Sequence, residues 1–244
     1  MQETPASEAV SEKVRFVTET PDLYCSDEAQ AYVQRELDRP SKAWIREVVG
    51  STRETEFVKL RTPEFVLLPD LNNPRRPQQR PFPPWSRATA APFQQSRRSF
   101  QRPPSPAHPA PRRFNWLAIV ADPGLRSVRD LRGEHLPMLE RLHRQCVEAI
   151  QGEHKVGEED IMVFANYPPS VYRLHFHFCA PFFQPSAFDA FRMHPLSAII
   201  NNLRLLSGYY ALSTFQIPVH SSSDLYRALA CASDYGAGDA PVSE

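Results

Sequence analysis

Apolar and polar positions alternate along this chain in short runs whose period changes several times. The first dozen residues are polar and predict disorder. DEAQAYVQRELD (27–38) has the spacing of a short amphipathic helix, and PSKAWIREVVG follows with Trp44, Ile45, Val48 and Val49 as an apolar stripe. EFVKL (56–60) and EFVLLPDL (64–71) read as strands, because Phe, Val and Leu fill short runs closed by Pro or charged turn residues. FNWLAIVAD (114–122) is a buried-strand pattern that ends in the turn residues Asp122, Pro123 and Gly124. In GEHLPMLERLHRQCVEAIQG, Leu136, Leu139, Leu142, Val147 and Ile150 recur at near-helical spacing, which predicts a helix over 133–152 with its stop at Gly152. IMVFANYPP (161–169) and SVYRLHFHFCAPFF (170–183) are the next strands, and AFDAFRMHPLSAIINNLRLL predicts a helix over 187–206. The tail from Ala232 is small and polar. This order of elements predicts an α+β fold, an antiparallel sheet with one long helix packed across it.

Composition changes this picture at one place. The chain has 244 residues, 41% hydrophobic and 23% charged, so apolar mass suffices for a core, and its formal charge is zero. Residues 72–113 nevertheless carry eleven Pro and nine Arg with no acidic residue, which leaves the remainder acidic. Such a segment cannot donate a regular ladder or bury a helix face, so it is expected to be a disordered insertion. A solvated linker and a basic arm that touches RNA or an acidic partner are both open for it. The four cysteines (Cys25, Cys146, Cys179, Cys231) show no CxxC spacing, which suits reduced thiols in a cytoplasmic, or also nuclear, protein. No apolar h-region occurs in MQETPASEAVSEKVRF and no run of about eighteen apolar residues occurs elsewhere, so a soluble chain with no membrane partner is expected.

SVYRLHFHF (170–178) carries the chemistry. With period two, Tyr172, Leu174, Phe176 and Phe178 share an apolar face, while Arg173, His175 and His177 share the other. A polar, basic face is costly in a core without partners. Three readings stand: two imidazoles hydrogen-bonded at a half-exposed surface, a metal site completed by distant ligands, or a histidine that attacks a phosphate beside positive neighbours. Arg173 favours the phosphate over a metal, since a guanidinium repels a cation.

RLHFHF resembles the HxHxH strand of the histidine-triad superfamily, and the flanking sequence resembles its scavenger mRNA decapping branch. FVLLPDL (65–71), WLAIV with GLRSVRDL (124–131), HLPML (135–139) and NYPPSVYRLHFHF (166–178) are similar to that family's segments in its order. The resemblance runs from about Trp44 to about Ala232 and is interrupted by the Arg/Pro segment. It implies a histidine-triad-like sheet and hydrolysis of the pyrophosphate bridge of the 7-methylguanosine cap on dinucleotides or short capped RNA, releasing 7-methyl-GMP. His175 takes the place of the nucleophile that forms a phosphohistidine. His177 takes that of the last triad histidine, which positions it. Ser170 and Arg192 take those of a phosphate-contacting serine and arginine. The resemblance implies no metal and no cofactor, and a homodimer.

The chain also departs from the family. Arg173 stands at the first triad position and cannot accept a proton. Asn72 and Asn73 stand where a base-stacking tryptophan is expected after PDL, and Arg112 and Arg113 where an acidic residue is expected before the WLAIV strand. The expected organisation is a polar N-terminal segment and short helix (1–43), the first part of the triad-like domain (44–71), the insertion (72–113), the rest of that domain (114–231) and a flexible tail (232–244). Besides a decapping hydrolase, a hydrolase of another dinucleotide and a weakened relative that binds RNA or protein remain open.

Overall fold

A computed structural model describes residues 13–51, 55–70, 114–181 and 187–236. The Arg/Pro-rich segment, its Arg112 and Arg113, and Asn72 and Asn73 lie outside the described residues. In chain order the elements are β1 (Val14–Glu19), α1 (Pro21–Cys25), α2 (Asp27–Asp38), α3 (Trp44–Val49), β2 (Leu60–Arg61), β3 (Phe65–Pro69) and β4 (Asn115–Val120). They continue with α4 (Leu136–His154), β5 (Met162–Asn166), β6 (His175–Cys179), α5 (Ala187–Ala190), β7 (Met193–Pro195), α6 (Leu196–Leu205), α7 (Tyr209–Leu212), β8 (Phe215–His220) and α8 (Asp224–Gly236).

Six strands form an antiparallel sheet in the order β2-β3-β4-β6-β5-β7, and β1 pairs separately with β8. Chain order and sheet order disagree at β6, which lies between β4 and β5. The connection through α4 therefore overshoots by one position and leaves a slot that β6 fills. In the slot, β6 pairs on both sides: His175 lies opposite Ile119, and His177 lies opposite Leu117 on one side and Phe164 on the other.

Period two then sorts the side chains. Phe65, Leu67, Trp116, Ala118, Phe176 and Phe178 face one way, into a core built with Leu139, Leu142, Cys146, Val147 and Ile150 of α4 and Leu196, Ile199 and Leu203 of α6. Phe176 and Phe178 are fully buried, each removing about 1.5–3 kcal/mol worth of apolar surface from water. The other face is split. Val66, Leu68, Leu117 and Ile119 take Ile45 and Val48 of α3, with Trp44 and Val171 packed against them, while His175 and His177 continue the same face beyond.

The α+β expectation matches this architecture, and the helix over 27–38 is α2 to the residue. Other boundaries moved, each for a physical reason. EFVKL overlaps a short 3₁₀ turn (Thr55–Phe57) and contributes only Leu60 to the two-residue β2, an edge strand with β3 as its one neighbour in this sheet. Gly152 does not stop α4, which runs to His154 and ends where Lys155 takes a left-handed φ of 54° and donates to the Gln151 carbonyl. The single helix expected over 187–206 is broken by β7, since Pro195 lacks an N–H and biases His194 toward extended backbone. The polar tail gives way to α8, which continues past Ala232 to Gly236.

Residues 14–19 form a strand that the sequence pattern does not predict. Their β1 is held to the rest of the molecule by a buried ion pair from the GLRSVRDL segment. The Arg129 guanidinium donates to the Glu19 carboxylate at 2.6 and 3.1 Å, to Tyr167 Oη at 3.2 Å, and to the carbonyls of Glu19, Tyr210 and Ser213. It lies over the Phe215 ring at 4.2 Å. Ser127 and Asp130 cap the turn that presents it.

Candidate active site

Strand β6 begins at His175, not at Ser170. The backbone turns tightly just before it, with the Arg173 N–H donating to the Val171 carbonyl at 2.9 Å. Alternation therefore holds from Leu174 onward and fails at Arg173. The Arg173 guanidinium does not join the two imidazoles. It donates to the Ala121 carbonyl at 2.7 Å, with the Asp122 charge supporting it against burial and against Arg46. What Arg173 offers His175 is its own carbonyl, 2.7 Å from Nδ1. A carbonyl only accepts, so Nδ1 carries the proton and Nε2 is left with the lone pair.

His175 and His177 lie side by side with ring centroids 5.4 Å apart. His175 is only 7% exposed, whereas His177 is half-buried with its ring stacked on Phe164 at 5.1 Å and 15°. Burial is the main reason that both imidazoles titrate below the usual histidine range. For His175 the Arg173 carbonyl and the Asp70 charge act the other way, and Arg192 and Lys42 add to the lowering. For His177, burial is joined by His175 and Arg192, and its value falls to about 3. Both rings are thus neutral at neutral pH. The Arg192 charge thus acts on His175, whereas the Arg173 side chain is turned toward Ala121 and Asp122.

Arg192 lies in the turn between α5 and β7 and reaches the Pro168 carbonyl with Nη2 at 2.5 Å and Nε at 3.1 Å. Asp189 stands 3.9 Å from it, and Phe188 lies beneath its guanidinium at 5.5 Å. Ser170 is exposed, and its carbonyl accepts from Lys42 Nζ at 2.5 Å. His175 and His177 are adjacent, Arg192 acts on both through its charge, Ser170 touches Lys42 through its carbonyl, and Arg173 is aimed elsewhere. Among the described residues, no cluster of three or more His, Cys, Asp or Glu side chains could hold a metal ion, and no helix is long and apolar enough to cross a membrane.

The structure adds residues that the sequence did not single out. Asn166 brings Nδ2 to 3.3 Å from His177 Nε2, which then accepts, so the His177 proton sits on Nδ1. The Asn166 Oδ1 is buried without a hydrogen-bond partner among the described residues. Lys42 comes from the turn before α3, and Asp70 from the end of β3, where it accepts from Asn115 Nδ2 at 3.0 Å. Trp44 was read only as part of an apolar stripe, yet it packs half-buried on the sheet face that bears the histidines. Period two in MVFAN aligns Phe164 with Asn166, but only strand pairing places them beside His177. His194 packs edge-on with Tyr167, Tyr210 and Phe215 on the opposite face, and burial lowers it to about 4.

This is an antiparallel sheet presenting two neutral, hydrogen-bonded imidazoles within the electrostatic reach of Arg192. Residues 105–192 match the family model described as scavenger mRNA decapping enzyme C-term binding. The chain is 34% identical over 113 residues to the m7GpppX diphosphatase of Rattus norvegicus, covering 46% of this chain and 34% of the relative. It is 24% identical over 179 residues to that of Schizosaccharomyces pombe, covering 72% and 47%, and 37% identical over 98 residues to that of Caenorhabditis elegans, covering 40% and 32%. The chain thus spans between about a third and a half of the length of these relatives. A solved structure, Hnt3 in complex with DNA and guanosine, matches 80% of this chain and 97% of its own at 14% identity with a TM-score of 0.33. Over residues 105–192 the chain is similar to the scavenger mRNA decapping family, and over part of its length to the m7GpppX diphosphatases.

Proposed function

We propose that this chain hydrolyses the pyrophosphate bridge of 7-methylguanosine cap nucleotides, dinucleotides or short capped RNA, and that His175 is the nucleophile. The observation that carries the reading is the bond from His175 Nδ1 to the Arg173 carbonyl, on a buried ring that is neutral at neutral pH. That bond leaves Nε2 unprotonated and fixes its direction, the two things that nucleophilic attack requires. In the first step Nε2 bonds to the phosphorus next to 7-methylguanosine, and the bridging P–O bond breaks with its electrons going to the departing phosphate. In the second step a water oxygen bonds to the phosphorus of the phosphohistidine, the P–N electrons return to His175 Nε2, one water proton passes to solvent, and 7-methyl-GMP leaves. Arg192 would offset charge on the phosphate oxygens, with Ser170 as a further phosphate contact, and the His177–Asn166 pair would keep the neighbouring imidazole fixed. Trp44 offers a stacking surface for the cationic base on the histidine face of the sheet, in place of the tryptophan expected after PDL.

Incubating the protein with a methylated cap dinucleotide should release 7-methyl-GMP, and His175→Asn should abolish the release. Turnover that survives His175→Asn would remove His175 as nucleophile, and equal turnover of unmethylated dinucleotides would point to a hydrolase of broader substrate class. A second reading, a weakened relative that binds capped RNA without cleaving it, is favoured by Arg173, which supplies no imidazole and points away from the pair. Binding without turnover in the same assay would select it.

A further inference from the structure

We propose that Lys42 is a second phosphate ligand of this site and forms, with Arg192, a two-cation clamp on the pyrophosphate bridge. The inference rests on the hydrolase reading above and adds a residue to it. Lys42 is 128 residues from Ser170 in sequence, yet its Nζ lies 2.5 Å from the Ser170 carbonyl. It closes the 3₁₀ turn Pro40–Lys42 directly before α3, and α3 is seated on the sheet through Ile45 and Val48 against Val66, Leu68, Leu117 and Ile119. The base of the side chain is therefore fixed, and its flexible four-carbon stem carries the ammonium to the Ser170 carbonyl.

Arg192 approaches the same 168–170 stretch from the turn after α5 and takes the Pro168 carbonyl. Two cations from separate elements thus rest on neutral carbonyls of one short loop, and both act electrostatically on His175. Neutral carbonyls are weaker partners for a cation than the oxygens of a pyrophosphate. An ammonium has three rotatable donors, so Lys42 can keep the Ser170 carbonyl and take a phosphate oxygen together. The need for it follows from Arg173. The guanidinium that the sequence places nearest the histidines is engaged at Ala121 and Asp122, and Lys42 supplies the charge that Arg173 does not.

The test is binding of a methylated cap dinucleotide, by calorimetry, to His175→Asn protein with Lys42 intact, Lys42→Met or Lys42→Arg, beside turnover of the protein with His175 intact. Loss of one charge-assisted bond predicts that Lys42→Met raises Kd about tenfold or more. Lys42→Arg should restore most of the affinity, and the thermal midpoint should not move. An unchanged Kd for Lys42→Met, or a Kd raised equally by Met and Arg together with a lowered midpoint, would overturn the clamp, as would absence of binding when Lys42 is intact. No turnover together with the expected Kd pattern would remove the hydrolase reading and leave the clamp standing.

Discussion

The Arg129–Glu19 pair offers the sharpest test of the fold. Both side chains are almost wholly buried, at 2% exposure each, so neither can recover hydration if its partner is removed. Arg129→Met keeps most of the side-chain volume but deletes every donor. The Glu19 carboxylate then retains only the Tyr167 hydroxyl among the donors it has here, and the Tyr210 and Ser213 carbonyls lose the guanidinium. Breaking a buried pair from one side costs about 3–5 kcal/mol, since it leaves a charge uncompensated in a medium that solvates it poorly. For a fold of this size each kcal/mol moves Tm by about 2–4 °C, so the midpoint should fall by about 6–20 °C. Urea unfolding followed by circular dichroism measures the free energy directly. The double variant Glu19→Gln/Arg129→Met should cost less than the two single variants summed, because the stranded charge is gone. A loss below about 1 kcal/mol for Arg129→Met, or strict additivity in the double variant, would refute the claim that this pair anchors β1.

Three further outcomes are expected. His177 has a folded-state value of about 3 against an unfolded value of about 6.5, so the unfolded chain takes up its proton first on acidification. Its contribution is complete above pH 6.5 and is lost progressively toward pH 3, up to about 1.4 kcal/mol per pH unit; His177→Gln should flatten that part of a stability-versus-pH curve measured by urea unfolding. Leu139→Ala, at a fully buried position of α4 against the sheet, should cost about 2–5 kcal/mol in the same measurement. Trp44→Ala should weaken binding of a methylated cap dinucleotide by about 1–3 kcal/mol, and more than it weakens binding of an unmethylated one, as read by calorimetry.

How far the sequence could be read depended on whether a feature was local. α2 was legible because its apolar spacing lies within twelve residues, and the alternation in HFHF was legible because period two is a property of one strand. His175 and His177 could therefore be placed on one face without knowledge of any other strand. The helix over 187–206 failed because its apolar positions fit a helix throughout, while the edge of β5, which recruits Met193–Pro195, is a tertiary partner that no local window contains. β1 failed for a related reason: VRFVTE becomes a strand by pairing with residues 215–220, about two hundred positions away.

The candidate site divides along the same line, and Arg173 shows why. Continued alternation puts its side chain beside His175, and the resemblance puts a triad member there. Both depend on the strand extending back to residue 173. The Arg173 N–H turns inward to the Val171 carbonyl, and the strand register is resumed only where Leu174 exchanges bonds with Leu125 and Val120. A turn at that point frees the Arg173 carbonyl to reach His175 Nδ1, which a continuous ladder would not allow. The position then holds His175 through its backbone, a contact that does not require an imidazole side chain. On this geometry the substitution of arginine for histidine removes one ring from the triad face and leaves the orientation of His175 in place. If His175 is the nucleophile, as proposed, activity should depend on Arg192 and Lys42 more than on the residue that departs most visibly from the motif.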